Sequence, residues 1–124
     1  MQSVDAAVAG QEISSVTFVW MQGEKDAQNG NTHYADDLRM LLDKVAAEYE
    51  CPFFAVIGRI TNWKDGESSW YRIRADQELV AAERGHALVD TDRLNGFLEG
   101  VHFFGNYDRL GEMFANDAVA QITQ

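Results

Sequence analysis

Apolar positions along this chain follow two patterns in turn. Near the start, Val4, Ala7 and Val8 share one helical face and Gly10 follows as a C-cap, which predicts a short opening helix. The run Ile13 to Met21 differs: Val16-Thr17-Phe18-Val19-Trp20 is β-branched or aromatic almost throughout, with no polar alternation. Such a run predicts a strand buried on both faces of a parallel sheet. Tyr34, Leu38, Leu41, Leu42, Val45, Ala46 and Tyr49 then recur at three- and four-residue intervals. With Asn31 or Thr32 as N-cap and Asp36 and Asp37 in the first turn, they predict a helix over residues 32–49.

The second half repeats the alternation. Phe53 to Ile57 predicts another buried strand, ended by Gly58, and Asp65-Gly66 supplies turn chemistry before Ser68 or Ser69 caps a helix over 69–84. That helix places Ile73, Gln77 and Val80 on one face and stops at Gly85. His86-Ala87-Leu88-Val89-Asp90 predicts a third short strand. Leu110, Phe114, Ala118 and Ile122 predict a closing amphipathic helix after the Gly105-Asn106 turn. The order α-β-α-β-α-β-α implies a three-layer α/β/α unit with a short parallel sheet of about three strands in a single domain, 1–124.

Composition narrows the function. The 124 residues are 46% hydrophobic with one proline, which suits a folded globular chain. Ten Lys+Arg against twenty Asp+Glu leave a net charge of −10, so nucleic acid and anionic membrane surfaces are poor partners. No apolar run reaches the ~20 residues of a membrane span and Met1-Gln2-Ser3-Val4-Asp5 is no leader, so the chain as given reads as cytoplasmic. Cys51, the one cysteine, reads as a buried, inert thiol. His33, His86 and His102 show no metal-ligand spacing, so neither a metal nor a cofactor is expected.

Two segments carry candidate chemistry. In Trp20-Met21-Gln22-Gly23-Glu24-Lys25-Asp26 a buried strand runs straight into an amide, a glycine and two carboxylates, at the strand end where parallel α/β sheets bind ligands. A plain polar turn with Gly23 at an unusual backbone angle would read the same way. In Glu99-Gly100-Val101-His102-Phe103 a carboxylate three residues before a histidine can accept its Nδ1 proton and leave Nε2 as a general base. A lone histidine flanked by Val and Phe is more often a packed or surface residue than a catalytic one.

Taken together, these segments resemble the SGNH hydrolases, in particular the sialate O-acetylesterase-like carbohydrate esterases. The first is similar to that family's W-x-Q-G-E-x-D block, Trp70 to Gln77 to its W-x-x-I-R-x-x-Q helix start, and Glu99-Gly100-Val101-His102-Phe103 with Leu110-Gly111 to its closing D-G-x-H-F…L-G block. The resemblance covers residues 4–118 in the family's order. It implies a truncated SGNH (flavodoxin-like) fold and a serine ester hydrolase of acetylated carbohydrate. His102 would be the base, Glu99 its orienting acid, and Gln22, Gly23 and Glu24 the oxyanion and substrate-binding segment.

Two departures matter. Glu99 stands where the family usually has Asp, and the family's glycine-rich turn bearing the nucleophilic serine has no counterpart ahead of Trp20. Ser14 and Ser15 precede a strand, while Ser68 and Ser69 suit helix capping. Two readings therefore stay open. One is part of a split or truncated esterase completed by an N-terminal segment, inactive alone. The other is a non-catalytic small-molecule- or carbohydrate-binding remnant that self-associates through the strand at 16–20, as a homodimer.

Overall fold

Three short strands pair in parallel in the order β1 (Val16–Trp20), β2 (Phe53–Gly58), β3 (Ala87–Val89). The structure is a computed structural model that describes residues 2–64, 66–94, 103 and 105–123. Between β1 and β2 lie α2 (Glu24–Asn29) and α3 (Tyr34–Ala47), and between β2 and β3 lies α4 (Ser68–Arg84). A short α1 (Gln2–Ala7) precedes the sheet, and a 3-10 turn over Thr91–Leu94 and then α5 (Tyr107–Ile122) follow it.

The alternation of side chains along β2 builds two cores. Ala55 and Ile57 point to one face, where they meet Leu38 and Leu42 of α3 and Trp70, Ile73 and Val80 of α4. Val56 points to the other, where Val89, Leu94, Phe103 and Leu110 complete a smaller cluster bordered by Met21, Phe54 and Phe114. At β2 and β3 the sheet is therefore covered on both faces, the α/β/α layering expected from strands that alternate with helices. Gly58 is required for this closeness: a Cβ there would lie 2.6 Å from Phe114 Cζ and run into the Met21 sulfur. It is the last residue of β2 rather than a stop beyond it.

Several sequence expectations change in detail. α3 begins at Tyr34 with His33 at its N-cap, because Asn31 Oδ1 accepts the His33 backbone N–H at 2.8 Å and turns the chain one step earlier. Glu67, in an extended conformation, precedes Ser68, so neither serine is the cap; both lie in the first turn of α4. Asp65 lies outside the described residues. The β1 expectation is corrected more substantially. Phe18 and Trp20 pack toward the α3/α4 core, but Val19 on the opposite face is 51% exposed. Among the described residues β1 pairs with β2 alone, so it is an edge strand with one covered face. Cys51 is half-buried, just ahead of β2.

His86 closes the entry to β3. Its Nδ1 accepts the Ala55 backbone N–H at 3.3 Å, and the rings of Phe53 and Phe54 meet it edge-on at 5.9 and 5.6 Å. Burial, aided by Arg84, holds its pKa below the ordinary histidine value. Only the neutral ring accepts at Nδ1, so the fold binds the extra proton less readily than the unfolded chain does. The stability from this contact should be present above about pH 6.5, the unfolded value, and be lost as pH falls through the lower folded one. Melting temperatures of wild type and His86→Gln between about pH 7.5 and 5 check this. The variant keeps an acceptor without the titration, so its decline on acidification should be shallower.

No described helix is long and apolar enough to cross a membrane.

Candidate active site

β1 ends at Trp20, and the chain turns through Met21, Gln22 and Gly23 into α2, at the C-terminal edge of the sheet. The Gln22 carbonyl is pinned from two directions: Tyr34 Oη donates to it at 2.7 Å and Gln77 Nε2 at 2.9 Å. Trp20 Nε1 donates in turn to Tyr34 Oη at 3.3 Å. Burial raises the Tyr34 pKa, against the opposing effect of its hydrogen bonds, so the phenol stays protonated and keeps its donor. A trans peptide directs its N–H opposite to its C=O, and no cis peptide is present among the described residues. The Gly23 N–H is therefore aimed away from Tyr34 and Gln77.

Gly23 makes this turn possible. Its φ of 152° is a conformation side-chain-bearing residues rarely adopt, and a Cβ would lie 3.0 Å from both Ile60 Cγ2 and Ile73 Cγ2 and 3.1 Å from Gln77 Nε2. Here glycine serves both the backbone angle and the close approach.

The Gln22 side chain is oriented separately. Its Nε2 donates to Asp26 Oδ2 at 2.6 Å, while Asn31 Nδ2 donates to Asp26 Oδ1 at 2.7 Å. Asp26 thus fixes which way the Gln22 amide faces, and the amide's second N–H remains as a donor for other chemistry. Trp20, Gln22, Asp26, Tyr34, Asp37, Leu38 and Leu41 line a cavity of about 170 Å³ beside this turn. Glu24, expected among the substrate-contacting residues, is buried in the first turn of α2. The two carboxylates of this segment therefore have different surroundings. Asp26 serves side-chain amides.

The block at Trp70 to Gln77 supports the same turn from behind. Trp70, Ile73, Arg74 and Gln77 follow i, i+3, i+4, i+7 spacing and are all buried on one face of α4. Trp70 Nε1 donates to Thr61 O at 2.6 Å, and Arg74 Nη1 to Ile60 O at 2.5 Å. Gln77 Oε1 accepts the Ile60 backbone N–H at 2.9 Å while its Nε2 holds Gln22 O. Gln77 therefore links the exits of β1 and β2. The sequence pattern placed Gln77 on an apolar helix face. An amide among Ile73 and Val80 was the visible sign of a buried polar link.

Arg74 also reaches the exit of β3, with Nη2 2.8 Å from each Asp92 carboxylate oxygen. Arg59 pairs with Asp92 at 2.9 Å and with Glu78 at 2.5 Å, and contacts Asp90 as well. Thr91 Oγ1 donates to Arg59 O at 2.9 Å. Arg74 is half-hidden from any sequence argument, because its role depends on Asp92 arriving from another strand.

Glu99 and His102 lie outside the described residues. The ends of their segment are described: Asn106 Nδ2 donates to Leu94 O at 3.1 Å, and Phe103 is buried against the α5-side core. Asn106 itself adopts φ 57°, as the Gly105-Asn106 turn anticipated. Ser14 and Ser15 lie just before β1, at the end of the sheet opposite Gln22. Among the described residues no group of three or more His, Cys, Asp or Glu is placed to hold a metal ion.

Residues 1–120 match the family model described as carbohydrate esterase, sialic acid-specific acetylesterase. No curated protein and no solved structure matches the chain.

Proposed function

The chain belongs to the sialic acid-specific acetylesterase family of carbohydrate esterases, and from that premise we propose that it forms the oxyanion and acid–base part of a carbohydrate O-acetylesterase. The observation that carries this reading is the Gln22–Gly23 turn, whose carbonyl is tied inward by Tyr34 and Gln77 and whose amide is oriented by Asp26. In the proposed reaction a serine oxygen from a segment outside these 124 residues attacks the acetyl carbonyl as His102 Nε2 takes its proton. Glu99 orients the imidazole. Gln22 Nε2 and the Gly23 N–H donate to the carbonyl oxygen as it becomes an oxyanion. The ester C–O bond then breaks, His102 returns the proton to the sugar oxygen, and water releases acetate by the reverse sequence. No cofactor enters.

The experiment is acetate release from an O-acetylated sialic acid by the chain joined to a serine-bearing N-terminal segment. Turnover should fall about 10²–10⁴-fold in His102→Ala, the usual contribution of a general base. Unchanged turnover in that variant would remove His102 from the mechanism.

A second reading, self-association as a homodimer, is favoured by the exposure of Val19 on edge strand β1. Sedimentation at high micromolar concentration should show a dimer that Val19→Lys shifts to monomer. A wild-type monomer at that concentration would overturn it.

A further inference from the structure

Asn31, on the loop between α2 and α3, is half-buried and has every one of its polar groups engaged. Its backbone N–H donates to Asp26 O at 2.9 Å, and its backbone carbonyl accepts Arg72 Nη2 at 3.3 Å, which also reaches Gly30 O at 3.2 Å. Its Oδ1 accepts the His33 backbone N–H at 2.8 Å, while Nδ2 donates to Asp26 Oδ1 at 2.7 Å and to Asp37 Oδ2 at 3.2 Å. The partners settle which end of this amide is which, because a backbone N–H only donates and a carboxylate only accepts.

That polarity carries through to the oxyanion turn. Asp26 receives Asn31 on one oxygen and Gln22 Nε2 on the other, at 2.6 Å. Two acceptor oxygens are needed there, since an asparagine would turn an NH2 group toward one of the two donors. Asn31 also places one donor within reach of two carboxylates. Without it the repulsion between Asp26 and Asp37 is left unopposed, and Asp26 loses its fixed orientation. Helix α4 is the common frame for both halves of Gln22: Gln77 holds its backbone carbonyl, and Arg72 holds the loop whose Asn31 sets its side chain.

We propose that Asn31 is a positioning residue for the Gln22 amide, acting through Asp26 to turn the second Nε2 N–H toward the oxygen of the reacting carbonyl. The role rests on the esterase reading for its purpose, but the orientation of Gln22 is measurable without any reaction. A residue that only shaped the loop would need Oδ1 alone. Asn31→Asp separates the two roles, since it keeps an oxygen for the His33 N–H and puts a carboxylate where Nδ2 meets Asp26 and Asp37.

The test begins with 1H–15N spectra of the 124-residue chain, following the Gln22 side-chain amide, identified by its loss in Gln22→Ala. In the wild type its paired resonances should stand apart from those of a free glutamine amide. They should move to the free position in Asn31→Asp and also in Asp26→Asn, which adds no charge, while the Trp70 indole resonance stays in place and shows that the fold is intact. In the completed protein Asn31→Asp should lower kcat about 10–100-fold with little change in KM, and should have no further effect in a Gln22→Ala background. Gln22 resonances that stay in place in either variant, or an equal fall in kcat with and without the Gln22 amide, would overturn the role. A completed protein that releases no acetate, while Asn31→Asp still frees the Gln22 amide, would overturn the esterase reading and leave the link from Asn31 to Gln22 standing.

Discussion

Gly23→Ala should destabilise the fold by about 2–5 kcal/mol, combining the strain of a non-glycine residue at φ 152° with overpacking against Ile60, Ile73 and Gln77. For a domain of this size that corresponds to a melting temperature lower by roughly 8–20 °C. Gly30→Ala is the informative companion. Gly30 has φ 69°, but a Cβ there meets nothing within 4 Å, so only the backbone strain of about 1–2 kcal/mol remains. Urea unfolding of both variants separates the two contributions. Equal losses would mean that the contacts around Gly23 give way freely and that the turn is not tightly held.

Gln22→Ala should act on turnover instead of stability. Its backbone carbonyl still receives Tyr34 and Gln77, so the turn persists, while the amide that Asp26 orients is gone. In the completed esterase kcat should fall about 10²–10³-fold with little change in KM, as when one oxyanion donor is removed. A melting temperature close to wild type would accompany it. A variant that lost stability while keeping its kcat would show that Gln22 is structural and that the oxyanion is stabilised elsewhere.

The contrast between these two variants reflects what was legible in the sequence. The three strands were readable because Val16-Thr17-Phe18-Val19-Trp20 and Phe53 to Ile57 are short runs rich in β-branched or aromatic residues, and Ala87-Leu88-Val89 is a short apolar run that follows the Gly85 helix stop. The helices α3, α4 and α5 were readable from their stripes. Helix α2 was not, since Glu24-Lys25-Asp26-Ala27-Gln28-Asn29 contains one apolar residue and shows no stripe. It forms because Gly23 starts it and Gly30, in the left-handed conformation, ends it.

The exposure of Val19 was hidden for a related reason. An unbroken apolar run looks the same in a central strand and in an edge strand, and only the pairing partners distinguish them. At the candidate site, Gln22 and Gly23 were legible as residues but not as an arrangement. That the Gln22 carbonyl faces inward depends on Tyr34 and Gln77, which lie 12 and 55 positions away. Hydrogen-bond partners at such separations follow from the fold and leave little trace in local spacing. Asp26 and Asn31 are the intermediate case, close enough in the chain for the pairing to have been a guess.

On the proposed function, these 124 residues hold the oxyanion and acid–base groups of an acetylesterase and the nucleophilic serine lies on a segment outside them. The decisive measurement is acetate released from an O-acetylated sialic acid by the chain alone and by the same chain joined to a serine-bearing N-terminal segment. The chain alone should release acetate at the uncatalysed rate, and the joined protein should show sustained turnover that replacing the added serine with alanine abolishes. Sustained turnover by the chain alone, lost when Ser68 or Ser69 is replaced by alanine, would contradict it.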